Sequence, residues 1–214
     1  MHTPVAPSRR PPWVAARSRA DATRGEQRSN PACTREILAH VPRDPRTSTS
    51  ADRELRTPRL LLRPFRTSDV DDALVYRNDP EFARFLPHVP QPFTLQHAEE
   101  FVAINMTEPW ETMPTFAVVI EDHVIGTVNL VIDPAARTAV LGYAIARAHW
   151  GHGIALEAAT AVNQWAYAEH DLLEIWASTQ TANQRSRRVM EKLGMKLDDA
   201  RTTTTEVAYR LRRG

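Results

Sequence analysis

Hydrophobic and polar positions change period several times along the chain, and each change marks an element. Arg59-Leu60-Leu61-Leu62-Arg63-Pro64-Phe65 predicts a first strand, with Pro64 setting its end at or near a sheet edge. A helical period follows from Asp69 to Arg77, with Ser68 as the expected N-cap and Asp69, Asp71 and Asp72 in the first turn. A short helix is expected from Asp79 to Leu86, and Pro87, Pro90 and Pro92 then enforce a loop. Thr94 caps a third predicted helix through about Asn105, with Leu95, Ala98, Phe101, Val102 and Asn105 as its buried stripe.

From Thr115 the period shortens to that of strands. Thr115–Glu121 and Val124–Ile132 predict a hairpin turning at Asp122-His123, and Arg137–Ala146 a further strand. Ala158, Val162 and Trp165 share helical spacing, so a helix begins at about Ala155 and runs to Glu169. Glu174–Thr179 is the next strand, and Asn183–Leu193 a helix closed by Gly194. Lys196–Ala200 and Thr205–Arg212 complete the pattern, with a loop at Thr202–Thr205. The order predicts a mixed α/β fold: a twisted, largely antiparallel sheet of about seven strands flanked by helices. The crossover from Ile145 to Glu174 supplies parallel pairing.

Residues 1–52 break the periodicity. They hold seven of the 16 prolines and nine Arg against five acidic residues. Such a composition buries too little surface to offset ordering entropy, so a disordered Arg/Pro-rich leader at 1–52 and one domain at 53–214 are expected. The domain carries 18 Lys/Arg against 21 acidic residues, so no specific nucleic-acid partner is expected. The single cysteine, Cys33, excludes an intrachain disulfide framework and falls in the leader. No apolar run approaches the roughly 18 residues of a membrane span, which points to a cytoplasmic protein. His88, His149 and His152 are not at metal spacing, so no metal is expected.

The chemistry starts at Trp150-Gly151-His152-Gly153-Ile154-Ala155, between a predicted strand and a predicted helix. First-turn amides lack intrahelical partners and meet the positive end of the helix dipole, so this turn can seat an anion. Gly151 and Gly153 let a diphosphate lie against the backbone. The turn lacks the lysine and hydroxyl of a nucleotide-cleaving loop, and also the third glycine and distal acid of a dinucleotide fold. A carrier held by its diphosphate without metal is the remaining ligand, with a plain strand-to-helix turn as the alternative.

A second motif, Asn183 to Gly194, sets Ser186, Val189, Met190 and Leu193 on one helical face. Ser186 therefore points at the sheet, as a proton donor or as a bond to the backbone. Asn183 is a helix cap or a ligand contact. Arg187 and Arg188 follow, with Glu191 at ion-pair spacing from Arg187. Trp110, in the loop before the hairpin, reads as a substrate gate or as surface packing. Arg210, Arg212 and Arg213 read as a solvated edge.

Together with Arg56-Thr57-Pro58-Arg59-Leu60-Leu61-Leu62-Arg63-Pro64, these stretches resemble the GNAT superfamily of N-acetyltransferases, most closely the subgroup that includes ribosomal-protein-alanine N-acetyltransferases. The resemblance spans about residues 54–212. It implies acetyl-CoA between the Val140–Ala146 and Glu174–Thr179 strands, its diphosphate on the loop Trp150, Gly151, His152, Gly153, Ile154 and Ala155. It implies further that Tyr143, Ala144 and Ile145 supply backbone contacts, one N–H polarising the thioester carbonyl. Asn183 then meets the pantetheine arm, Ser186 serves as general acid, Tyr143 is a second catalytic candidate, and Arg188 approaches the 3′-phosphate. The acceptor implied is a primary amine, foremost a protein or peptide N-terminus. A small-molecule amine, or a catalytically silent acyl-CoA-binding module, remains the alternative, and a homodimer remains open.

One departure concerns the base. Relatives often carry Glu on the fourth strand, whereas Arg137–Ala146 has no carboxylate, and Asp133, His149, Glu111 and Glu174 are the nearest substitutes. Neutralising a lysine at pH 7 costs about 4.6 kcal/mol, against about 1.0–1.4 for an α-amine. A chain without a strand carboxylate therefore suits an α-amine better.

Overall fold

The computed structural model describes residues 53–213; the predicted leader, with Cys33, lies outside them. In chain order come strands β1 (Leu55–Arg56) and β2 (Leu61–Arg63), then helices α1 (Val70–Arg77), α2 (Pro80–Ala83) and α3 (Leu95–Thr107). Next come β3 (Thr115–Ile120), β4 (His123–Asp133) and β5 (Thr138–Ile145), then α4 (Ile154–Glu169) and β6 (Glu174–Gln180). Helix α5 (Gln184–Lys192), β7 (Lys196–Leu197) and β8 (Glu206–Arg212) complete the domain. All strands join one sheet in the order β1-β2-β3-β4-β5-β6-β8-β7.

The expected mixed, mostly antiparallel sheet is present with eight strands instead of about seven. The added strand is β1, whose two residues pair with Leu61 and Leu62 across a tight turn and are too few to show a period. Other expectations shift locally. Ser68 does not cap α1: it lies in a 3-10 turn (Thr67–Asp69) whose Asp69 is buried against Arg63 through two 2.8 Å bonds. That bidentate pair fixes the exit from β2, and Asp69 also accepts from the Arg66 amide at 2.8 Å. Leu95 is half-exposed, so α3 buries Ala98 and Val102, with Phe101 and Asn105 only partly covered. The hairpin turns at Glu121-Asp122, one residue before the expected position, with both residues at positive φ. Strand β7 stops at Leu197, where the Asp198 side chain turns in to bond Arg201.

The sheet divides two cores. Helix α4 covers one face, where Ile154, Ala158 and Val162 meet Phe116, Val128, Leu130 and Ile175. Helices α1 to α3 cover the other face, where Tyr76, Phe82, Phe93 and Val102 meet Ala117, Val119 and Val124. Both cores follow from strand alternation, since successive residues of β3 and β4 face opposite sides.

The parallel pair is the feature that opens the sheet. β5 and β6 are in register only at Thr138–Glu174, Ala139–Ile175 and Val140–Trp176. Beyond Val140, β5 stays with β4 as far as Ile145 opposite Gly126. β6 stays with β8 as far as Gln180 opposite Glu206. The two central strands therefore part, and a gap opens between them towards the start of α4.

Candidate active site

At the end of β5 the chain makes a short 3-10 turn over Arg147–His149 and enters the glycine loop. Trp150 secures this passage. Its indole N–H donates to the Ile145 carbonyl at 2.7 Å, and its ring carries the Arg185 guanidinium 4.6 Å from the centroid. The indole expected to touch the ligand thus spends its polar group on the strand end, while Arg185 stands beside the loop.

Gly151 and Gly153 sit at φ +82° and +77°, conformations that side-chain-bearing residues rarely adopt. Gly153 is the N-cap of α4 and offers no side chain to its amides. The first intrahelical bond runs from Glu157 N–H to the Gly153 carbonyl at 3.0 Å. The N–H groups of Gly151 through Leu156 find no acceptor among the described residues. A helix start left without the usual Ser, Thr or Asp is suited to an external anion as its cap.

A clamp from the other end of the chain holds this loop. Arg59 donates from Nε to Glu157 Oε2 at 2.7 Å and from Nη1 to the His152 carbonyl at 2.9 Å. Glu157 Oε1 accepts from Thr57 Oγ1 at 2.5 Å and from the Arg59 amide at 3.1 Å. Burial works against the Glu157 charge, yet the bonds from Thr57 and Arg59 outweigh it and hold the carboxyl below its ordinary range. The sequence quotes both stretches, but nothing in a single chain couples residues 98 positions apart.

In the gap, strand alternation decides which main-chain groups are free. Ala146 N–H bonds the Ile125 carbonyl on β4 at 2.7 Å, so the polar groups of Ala144 also face β4. Those of Tyr143 and Ile145 face the β6 side, where pairing has ended. The Ile145 carbonyl is already taken by Trp150, which leaves the Tyr143 N–H and C=O and the Ile145 N–H. Ala144, expected to contribute a backbone contact, is turned away.

Tyr143 and Ser186 meet through their side chains, a contact that the sequence does not announce. The Tyr143 hydroxyl lies 3.0 Å from the Ser186 carbonyl and 2.9 Å from Ser186 Oγ. Burial pushes the Tyr143 phenol up to about 12, with the Ser186 bond pulling weakly the other way. Tyr143 is thus protonated at neutral pH and acts as a donor. Asn183 caps α5 by accepting from the Ser186 amide at 3.2 Å, which leaves its NH₂ without a partner among the described residues.

Arg187 and Arg188 separate. Arg187 donates to the Tyr209 hydroxyl at 3.4 Å, and that hydroxyl bonds Glu191 at 3.1 Å, so the expected ion pair runs through Tyr209. Arg188 is exposed and makes no ion pair among the described residues. Trp110 packs: half-buried, it lies edge-on against Phe116 and Trp165, at 4.8 and 6.1 Å, on the α4 face. Two of the four substitute bases, Glu174 and Asp133, lie far from the gap. Glu174 and Asp133 flank Thr138, five residues along β5 from Tyr143, or about 16 Å at roughly 3.3 Å per residue. Glu174 is also held by Arg201 at 2.9 Å and Arg212 at 3.3 Å.

The chain matches the family described as acetyltransferase (GNAT) domain over residues 59–196. It is 30% identical over 142 residues to YnaD of Bacillus subtilis (strain 168), described as an uncharacterized N-acetyltransferase; the match covers 66% of this chain and 82% of YnaD. A GNAT-family acetyltransferase from Bacillus anthracis superposes with a TM-score of 0.65 at 25% identity, covering 74% of this chain and 98% of that one. RimL, a ribosomal L7/L12 α-N-protein acetyltransferase in complex with coenzyme A, shares the fold at a TM-score of 0.62 and 18% identity, over 73% and 95% of the two chains. The split sheet, the uncapped glycine loop and these matches agree: the chain belongs to the GNAT family of acetyltransferases.

Proposed function

We propose that this N-acetyltransferase moves acetyl from acetyl-CoA to the α-amine of a protein or peptide N-terminus by direct attack within a ternary complex. The observation carrying this reading is the row of uncapped amides at Gly151–Leu156 opening onto the gap beside Tyr143 and Ser186. The diphosphate fits the glycine loop because no side chain caps those amides and Arg185 adds positive charge next to them. The pantetheine fits between β5 and β6, meeting the Tyr143 and Ile145 main-chain groups and the free NH₂ of Asn183. Arg188, exposed on α5, suits the 3′-phosphate.

The steps balance without a covalent enzyme intermediate. The neutral amine adds to the thioester carbonyl, and a main-chain N–H in the gap stabilises the oxyanion. Collapse breaks the C–S bond, and the sulfur takes the Ser186 Oγ proton while the ammonium proton leaves through water. Tyr143, bonded to both Ser186 oxygens, holds Ser186 in place and relays a solvent proton back to Oγ, so both hydroxyls end the cycle protonated. Most of the acceleration is assigned to proximity and carbonyl polarisation. With Glu174 and Asp133 remote, no strand carboxylate serves as base, which favours an amine whose pKa lies near neutrality. RimL, described as acting on an α-amine, offers an analogy for the acceptor on the same fold.

Thiol release from acetyl-CoA, measured with N-terminal peptides, lysine side-chain analogues and small amines, tests the acceptor. Peptide α-amines should react fastest at pH 7. Faster turnover of a small amine would replace the peptide reading, and CoA binding without turnover of any amine would replace catalysis itself.

A further inference from the structure

The gap has two faces. Tyr143 points to the α4 face, where Ser186 waits for the thiol. Gly142 and Ala144 point to the opposite face, where Ala144 packs against the cluster under α1 to α3. On that face Gly142 pairs directly with Asn129 of β4. A Cβ built on Gly142 would come within 2.5 Å of Asn129 Oδ1, so the carboxamide lies across the glycine. Asn129 is half-buried, and its side chain makes no hydrogen bond among the described residues. The carboxamide is therefore open to solvent on this face and free to bond an incoming polar group.

We infer that Asn129 is the acceptor-positioning residue: its carboxamide oxygen receives a hydrogen bond from the incoming primary amine on the face opposite Ser186. Gly142 is required because any side chain there displaces the carboxamide. The inference rests on the acetyl-transfer reading and gives it a direction. The amine enters past Asn129, one residue from the Tyr143 main chain that faces the thioester, and the thiol departs towards Ser186. An N–H held by Asn129 turns the nitrogen lone pair to the carbonyl carbon, a group effect of orientation without proton removal.

Kinetics with the full-length protein, acetyl-CoA and the best amine of the panel test this, alongside calorimetry with CoA. Asn129→Leu and Gly142→Ala should each raise the amine KM about tenfold and leave CoA affinity unchanged. Asn129→Asp, which keeps an oxygen acceptor, should stay close to wild type in amine KM. An unmoved amine KM in Asn129→Leu, with wild type active, overturns this inference alone; so does a loss of CoA affinity matching the KM change. Wild-type protein that acetylates no amine overturns the acetyl-transfer reading along with it.

Discussion

Ser186 is the residue whose geometry most directly separates proton donation from packing. Its Oγ lies 2.9 Å from the Tyr143 hydroxyl and its amide is bonded by Asn183, so the side chain is oriented before any ligand arrives. Ser186→Ala should lower kcat about 100-fold and leave CoA affinity unchanged, since a general acid acts only as charge develops on sulfur. Tyr143→Phe should cost about 1 kcal/mol of stability through the lost hydroxyl bond, measurable by urea unfolding, with a smaller fall in kcat. The Tyr143 phenol is held up to about 12, so the kcat profile should show no alkaline limb from it below pH 10. A limb there that disappears in Tyr143→Phe would contradict the assignment. Ser186 was visible in the sequence through the spacing to Val189, Met190 and Leu193, which fixes its face. The free or occupied state of Asn183 and Trp150 was not, because it depends on partners that only the tertiary structure brings near.

At the scale of elements, the start of α4 is set by the clamp from the β1–β2 turn. The folded Glu157 carboxyl lies below its unfolded value, near 4.3, so its contribution is present above that pH and lost as pH falls through the folded value. Glu157→Gln should therefore destabilise the domain by about 1 kcal/mol at pH 7, and the gap from wild type should close below pH 4. Chemical denaturation across pH 3–8 reads this; a gap independent of pH would remove the charge from the explanation. The β3–β4 turn offers a second test. Glu121 and Asp122 hold φ +49° and +67° without glycine. Glu121→Asn with Asp122→Gly should raise stability by about 1 kcal/mol and Tm by about 2–4 °C, leaving CoA affinity alone.

The elements show how far a sequence carries. Long periodic segments such as β4, β5 and α4 were readable because each repeats its pattern many times. Two-residue strands such as β1 repeat nothing and take their state from the neighbour they pair with. On α3 the buried face is set by Ala98 and Val102, and Leu95 at the first position stays half-exposed, which helical spacing alone does not reveal. Ser68 lost its capping role to a buried ion pair between Arg63 and Asp69 that no local pattern announces.

For the whole molecule, the central fact is a sheet that closes at one end of β5 and opens at the other. Three paired residues hold β5 to β6, and each strand then follows its outer partner. The opening leads from the glycine loop on one side to Asn129 and Gly142 on the other, so coenzyme and amine can meet from opposite faces. Titration calorimetry with CoA tests this most directly. Wild-type protein should bind one equivalent, and Gly153→Asp, which strains the loop at φ +77° and adds negative charge beside the diphosphate seat, should weaken binding about 100-fold or more. No heat from the folded wild type, or equal affinity in Gly153→Asp, would contradict a diphosphate seat at the start of α4.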